Sequence, residues 1–225
     1  MSEKNNEKGG FPLFPVVTGA ALAYYFWLRP RMLTWGTKLG EAEQQFPGDD
    51  LILRPNFQAT RGIDIQAAPE AIWPWLAQMG RDTTGFYNID PLSNKGIPSA
   101  NFIRHDLPEV KVGMALDNGL KVLRLDQPNY IIFGAFDIPN LFGTTTDLVF
   151  SYILLRQHGQ RTRLVARVRG FSTGIPGKLY NLLYEPVEFI QMTTQLRNVA
   201  ELAQANKEIH VTPKEKSNGN IRMNA

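Results

Sequence analysis

Residues 60–80 read TRGIDIQAAPEAIWPWLAQMG, and the organisation of the chain follows from the change of period inside this stretch. From Thr60 to Gln66 the residues alternate, with Ile63 and Ile65 on one side. That is the period-two pattern of a strand with one apolar face. Ala67-Ala68-Pro69-Glu70 turns the chain, and Pro69 suits the first position of a helix, where its missing N–H costs nothing. Ile72, Trp73, Leu76 and Met79 then recur at three- and four-residue spacing as far as Gly80, which predicts a short amphipathic helix. Trp73 and Trp75 bracket Pro74, whose ring frees a carbonyl and kinks a helix. Two roles stay open for this kink: plain packing against a sheet, or gating the mouth of a pocket.

Residues 81–108 form a long loop region rich in Gly, Asn, Asp, Ser and Pro. From 110 to 170 every pattern is strand-like. Val110–Leu116 and Leu120–Leu125 flank Asp117-Asn118-Gly119, a tight-hairpin signal. Tyr130–Phe136, Leu148–Leu155 and Arg161–Arg169 follow, and short connections make these strands antiparallel neighbours. A long helix closes the pattern, with Phe189, Met192, Leu196, Val199 and Ala203 in one stripe. Pro186 separates it from a helical stretch around 178–184, or kinks it. The order predicts an α+β helix-grip fold, a curved antiparallel β-sheet wrapped around the long C-terminal α-helix. Such a sheet leaves an internal hollow of the kind that small-molecule sites use.

TRGIDIQAAPEAIWPWLAQMG, GFYNID, VKVG, RTRLVARVRG and the terminal EPVEFIQM together resemble the SRPBCC superfamily, the START-like, Bet v 1-like group that includes polyketide cyclases and lipid carriers. A W-G-T segment and a P-G-D turn ahead of the domain are similar to one bacterial subgroup. The resemblance covers roughly residues 34–205 and implies a helix-grip fold with a hydrophobic pocket. It leaves function open, since the superfamily spans carriers, receptors, cyclases and oxygenase domains. Where its pattern E-P-x-H-F carries a histidine, this chain has Glu188, so no role tied to that histidine carries over.

Composition narrows the chemistry. The 225 residues contain no Cys and 3 His, and the net charge is +3. Disulfides, thiol catalysis and cysteine-held metals are excluded. There is no P-loop, G-x-G-x-x-G, H-E-x-x-H or other metal or cofactor signature. Gly170-Phe171-Ser172-Thr173-Gly174 matches a nucleophile elbow, but no Asp follows it and the one later histidine is His210, so it reads as a loop into the last helix. Arg161, Arg163, Arg167 and Arg169 share one parity of their strand. They read as a solvated outer face, or as a surface for anionic lipid headgroups. Nucleic acid is not expected, because no aromatic residues interleave with them.

Residues 1–10 and 206–225 are polar tails expected to be disordered. Residues 11–31 hold an uncharged run, FPLFPVVTGAALAYYFWL, closed by Arg29 and Arg31. It reads as an apolar helix: a membrane anchor with the domain on the cytoplasmic side, a helix packed on a soluble cytoplasmic domain or lying in a membrane interface, or a signal peptide. Residues 32–50 read as a short helical linker and 51–205 as the helix-grip domain.

The expected pocket walls are Trp75, Met79, Phe86, Tyr87, Asp90, Phe102, Phe133, Phe150 and Tyr184, chosen by parity and aromatic bulk. Three functions compete. A non-enzymatic binder of a hydrophobic small molecule or lipid leads, needing no cofactor. A cyclase- or aromatase-like enzyme would use Tyr87, Asp90 or His105 for proton transfer, and Tyr87 and Asp90 could equally pin a loop. A structural domain with a filled core needs no ligand.

Overall fold

The computed structural model describes residues 13–82 and 84–205; the two expected tails lie outside them. Five strands form one antiparallel sheet: β1 (Phe57–Ile65), β2 (Lys121–Asp126), β3 (Tyr130–Pro139), β4 (Thr145–Gln157) and β5 (Arg161–Ser172). Their spatial order is β1-β5-β4-β3-β2. The last four form a meander, and β1 closes on β5 with Phe57 opposite Gly170 and Ile65 opposite Thr162. Register shifts interrupt β2–β3 between Val122 and Arg124 and β3–β4 between Ala135 and Ile138; such irregularities bend a strand.

One face of the sheet carries the helices. The expected helix is α3 (Pro69–Gln78), with Pro74 inside it. It ends where Gly80 takes a positive φ of 64°, and a Cβ there would meet the Phe86 ring at 2.6 Å. The C-terminal helix, α5 (Gly174–Ala205), runs unbroken through Pro186. Met192, Leu196, Val199 and Ala203 are buried as their spacing requires, against Leu164, Ala166 and Val168 of β5 and Phe57, Ala59 and Ile65 of β1.

The opposite face corrects the sequence reading. Residues 37–50 form turns rather than a helix, and this segment lies across the back of β5. Arg163 and Arg167 are buried there. Arg163 holds Glu41 with two hydrogen bonds (2.9 and 2.5 Å) and donates to the Gly36 carbonyl. Arg167 donates to Asp49, to the carbonyls of Gln44 and Ala42 and to Thr60 Oγ1, with its guanidinium 4.7 Å from the Phe46 ring centre. Arg169 pairs with Asp49 at 3.0 Å. Of the four arginines Arg161 alone is exposed, so the solvated face expected from their parity is an inner face. Phe46 and Ile52 add apolar cover over Val165, Ile153, Ile132 and Val149. The sheet is therefore buried on both sides.

Two further expectations fail. Val110–Leu116 is not a strand, its pairing reduced to one bridge between Ala115 and Lys121, and Asp117–Gly119 is a single 3-10 turn. At the N-terminus the apolar helix runs on past its arginines, as α1 (Leu13–Ala23), a π-helical stretch (Tyr24–Leu28) and α2 (Arg29–Leu33). Pro30 has no N–H for the Phe26 carbonyl, and the Arg29 N–H reaches back five residues to the Tyr24 carbonyl. Arg29 then clasps Glu185 of α5 through Nε and Nη2 at 2.5 and 2.7 Å, and Met32 is buried. No helix among the described residues is long and apolar enough to cross a membrane.

Candidate functional site

Between α5 and the sheet lies a cavity of about 390 Å³. The strands supply Phe133, Leu148, Phe150 and Tyr152; the turn after α3 supplies Met79 and Phe86; α5 supplies Tyr184, Val187, Glu188 and Met192. Near the opening stand Leu92 and Ser93 of a short helix, α4 (Asp90–Ser93), and Ile138 at the β3 bulge. The bulge matters here, because it interrupts the regular β3–β4 ladder beside the cavity, with pairing resuming at Ile138 opposite Thr146. Leu92 and Val187 both line the hollow and reach solvent.

Several polar groups of the wall are paired within the protein. Tyr152 Oη donates to Gln195 Oε1 at 2.5 Å. Gln195 Nε2 in turn donates to the Phe86 carbonyl at 2.6 Å and lies 3.0 Å from Met79 Sδ. Glu188 Oε1 accepts from Arg61 Nη1 at 2.6 Å, and Arg61 Nε donates to the Met32 carbonyl at 3.0 Å. Glu188 Oε2 and Arg61 Nη2 are buried and have no hydrogen-bond partner among the described residues. Burial, the largest influence, pushes the Glu188 carboxyl above its ordinary value while Arg61 pulls it back. Burial first and the Glu188 charge second push the Tyr152 and Tyr184 phenols up as well. Both tyrosines are therefore neutral hydrogen-bonding groups at physiological pH.

Five of the nine expected wall residues line this cavity: Met79, Phe86, Phe133, Phe150 and Tyr184. Trp75 is fully buried behind the wall, edge-on to Tyr87 with ring centres 5.8 Å apart. Tyr87 and Asp90 face a second, shallower depression between the 87–101 loop and the end of α5. There they hold the loop: Ser99 donates to both Asp90 oxygens, through Oγ at 2.6 Å and its backbone N–H at 3.0 Å, and the Tyr87 hydroxyl accepts from Gln78 at 2.6 Å. Phe102 is exposed and outside both. His105 is also exposed, so Tyr87, Asp90 and His105 do not converge on the cavity. Ser172 is buried, its Oγ hydrogen-bonded to Thr146 and Asn181, a structural position rather than an elbow.

Sequence reasoning missed Tyr152, Gln195 and above all Glu188 as wall residues. The signal for Glu188 was present, since 185, 188, 192, 196, 199 and 203 continue one three-four spacing. Two glutamates in phase with the buried stripe mark carboxylates that face inward. In the described residues no group of acidic and histidine side chains could hold a metal ion.

No family model and no curated protein matches the chain. Among solved structures it is similar to a hypothetical protein from Helicobacter pylori, at 9% identity and TM-score 0.46, over 72% of this chain and 94% of that one. A protein from Mesorhizobium loti aligns at 12% identity and TM-score 0.43, over 66% and 98%. Norcoclaurine synthase from Thalictrum flavum aligns at 12% identity and TM-score 0.40, over 65% and 85%. What the cavity can do is decided by this chain's own residues.

Proposed function

We propose that the chain binds an apolar small molecule or a lipid chain in the cavity between α5 and the sheet, in keeping with the SRPBCC resemblance of its sequence. One observation carries this reading: a hollow of about 390 Å³ with mainly apolar walls between α5 and the sheet. Pockets that hold small ligands occupy about 300–1,000 Å³. The cyclase-like alternative has less to stand on, since its three proton-transfer candidates do not line this hollow. The test is titration of full-length protein with the neutral dye N-phenyl-1-naphthylamine, beside native mass spectrometry for a co-purifying ligand. Saturable dye fluorescence that Leu148→Trp abolishes, with circular dichroism unchanged, supports the reading. Dye binding untouched by Leu148→Trp refutes it.

A second reading concerns place, and a separate observation favours it. Val16, Val17, Leu22, Phe26 and Trp27 are all exposed, on a helix with no charge before Arg29. α5 adds Ile175, Leu179 and Leu183 to the exposed apolar surface. A helix apolar on every side suits lipid better than water, and lying in the interface needs no full span. Flotation of full-length protein with liposomes tests it. Phe26→Asp/Trp27→Asp should leave the floating fraction, and wild-type protein that never floats sinks the idea.

A further inference from the structure

The outer face of α5 carries an apolar stripe of its own. Ile175, Leu179, Leu183, Val187 and Ile190 are exposed, and at about 3.6 residues per turn they share one arc roughly 120° wide. The arc lies opposite the buried side of the helix, marked by Asn181, Glu185, Glu188 and Met192. From Gly174 to Tyr184 the one charge is Lys178, which is exposed. Two neighbours widen this surface. On one flank the β3–β4 connection adds Leu141 and Phe142, both exposed. The Phe142 ring stands edge-on to Tyr180 with centres 6.3 Å apart, and Tyr180 stacks on Tyr184 at 5.9 Å. On the other flank Arg29 ties the apolar N-terminal helix to Glu185, and Arg31 covers the Trp27 ring at 4.4 Å. The cavity opens into the same surface. Val187 belongs both to the stripe and to the wall, Tyr184 belongs both to the aromatic ladder and to the wall, and Leu92 stands exposed at the opening.

Resting on both readings above, the apolar ligand and the interfacial helix, we infer that this face docks on an anionic lipid bilayer with the cavity mouth turned into it. The ligand then passes between bilayer and cavity without crossing water. The occupant is lipid rather than a second protein, because α1 is exposed on every side from Pro15 to Ala23. A protein surface covers one side of a helix, whereas the headgroup and acyl region of a bilayer surrounds it. Charge points to anionic lipid. Residues 11–40 hold Arg29, Arg31 and Lys38 and no acidic residue, and Lys178 stands beside the stripe. The two glutamates of this part of α5 are neutralised within the protein, Glu185 by Arg29 and Glu188 by Arg61. Basic side chains next to an apolar surface favour anionic headgroups. A mouth opening to water would expose the ligand's apolar surface at each exchange, and a mouth opening to lipid keeps that surface dry.

The chain has no cysteine, so a single introduced cysteine takes a label at that position alone. Full-length Leu183→Cys, Leu92→Cys, Phe26→Cys and Leu39→Cys, each carrying the environment-sensitive fluorophore NBD, are mixed with vesicles of equal parts phosphatidylglycerol and phosphatidylcholine. All four side chains are exposed, so circular dichroism should not change. The inference expects the labels on the stripe (Leu183), at the mouth (Leu92) and on the N-terminal helix (Phe26) to brighten and shift to the blue. The label at Leu39, on the layer behind the sheet, should not respond. A response at Phe26 without one at Leu183 or at Leu92 leaves the interfacial helix standing and overturns this inference. No response anywhere removes the membrane reading and this inference with it, and a response at Leu39 as large as the others shows unoriented adsorption and also overturns it. Ile175→Asp/Leu179→Asp, outside the cavity wall, should weaken vesicle binding about tenfold or more, since two side chains lose the gain of leaving water. A folded double variant that binds vesicles like the wild type refutes the docking face. Exchange is read from bound N-phenyl-1-naphthylamine passing to vesicles that carry an energy-transfer acceptor. Its rate should rise in proportion to vesicle concentration, and a rate independent of it means escape through water and overturns direct exchange. If the dye never binds, the cavity reading falls and direct exchange with it.

Discussion

Replacing Arg167 by Met tests whether the segment behind the sheet is held by buried arginines. In the native protein the guanidinium donates to Asp49 Oδ2, to the Gln44 carbonyl and to the Ala42 carbonyl at 2.7 Å each, and to Thr60 Oγ1 at 3.0 Å. Methionine keeps an apolar stem over Phe46 but donates nothing. Two backbone carbonyls lose their donor, at about 1–3 kcal/mol for each group left unmet. Asp49 keeps Arg169 at 3.0 Å, so the full cost of orphaning a buried charge, about 3–5 kcal/mol, does not apply. The Thr60 hydroxyl can rotate to another partner. The expected loss is about 3 kcal/mol in total, and for a domain of this size about 6–12 °C in Tm. Thermal and urea unfolding measure it, and amide hydrogen exchange over residues 36–50 locates it. Arg161→Met is the control, since that side chain is exposed and its loss should stay within about 0.5 kcal/mol. If Arg167→Met matches the control in stability and exchange, the buried arginines do not hold this layer.

Gly80→Ala should cost about 1–3 kcal/mol, because a side chain at positive φ is strained and the new Cβ presses on the Phe86 ring; a lower Tm together with weaker dye binding checks it. Burial raises the Tyr87 phenol to about 12 from 10.0, with the Gln78 hydrogen bond opposing. Its contribution is therefore intact below pH 10 and lost as pH climbs through 12, because only the unfolded chain ionises in that window; Tyr87→Phe should flatten that alkaline limb in unfolding titrations. Glu41 behaves in the opposite sense. Burial works against its ionised form, but hydrogen bonds from Arg163 and the Lys38 backbone hold the carboxyl below 4.5. Its contribution is present above pH 4.5 and fades as pH falls below it, so Glu41→Gln should lower stability at pH 7 and blunt the acid transition.

The strands and the terminal helix were legible because each carries its own period, and period is local. What escaped was non-local. Arginines at alternate positions of β5 look like a wet face to any measure of hydropathy. Only the pairing of Arg163 with Glu41 and of Arg167 with Asp49, more than 110 positions away, turns that face inward. Val110–Leu116 failed for the reverse reason: its apolar content is real, with Val110 and Leu116 buried, but against β2 it makes a few backbone hydrogen bonds around one bridge rather than a regular ladder. In the cavity, aromatic bulk found Phe133 and Phe150 because strand parity is rigid. The same criterion misplaced Phe102, where an irregular loop has no parity to read. Glu188 was noticed only as a departure from a family pattern, although its phase with Met192 and Leu196 already placed it inside.

The covering of β5 from behind also decides where this protein can be cut. A fragment that begins at Leu51, where the resemblance to a compact ligand-binding domain invites a boundary, would strip away Glu41, Phe46 and Asp49 in one stroke. It would leave Arg167 and Arg169 without Asp49 and Arg163 with only the longer contact to Asp64 at 3.6 Å, beside Val165 and Ile153 newly wetted. Trimming to the recognisable core would thus produce a sticky, cationic sheet in place of a smaller stable protein. Recombinant versions that keep the chain from Arg29 onward preserve the back layer and the Arg29–Glu185 clasp alike.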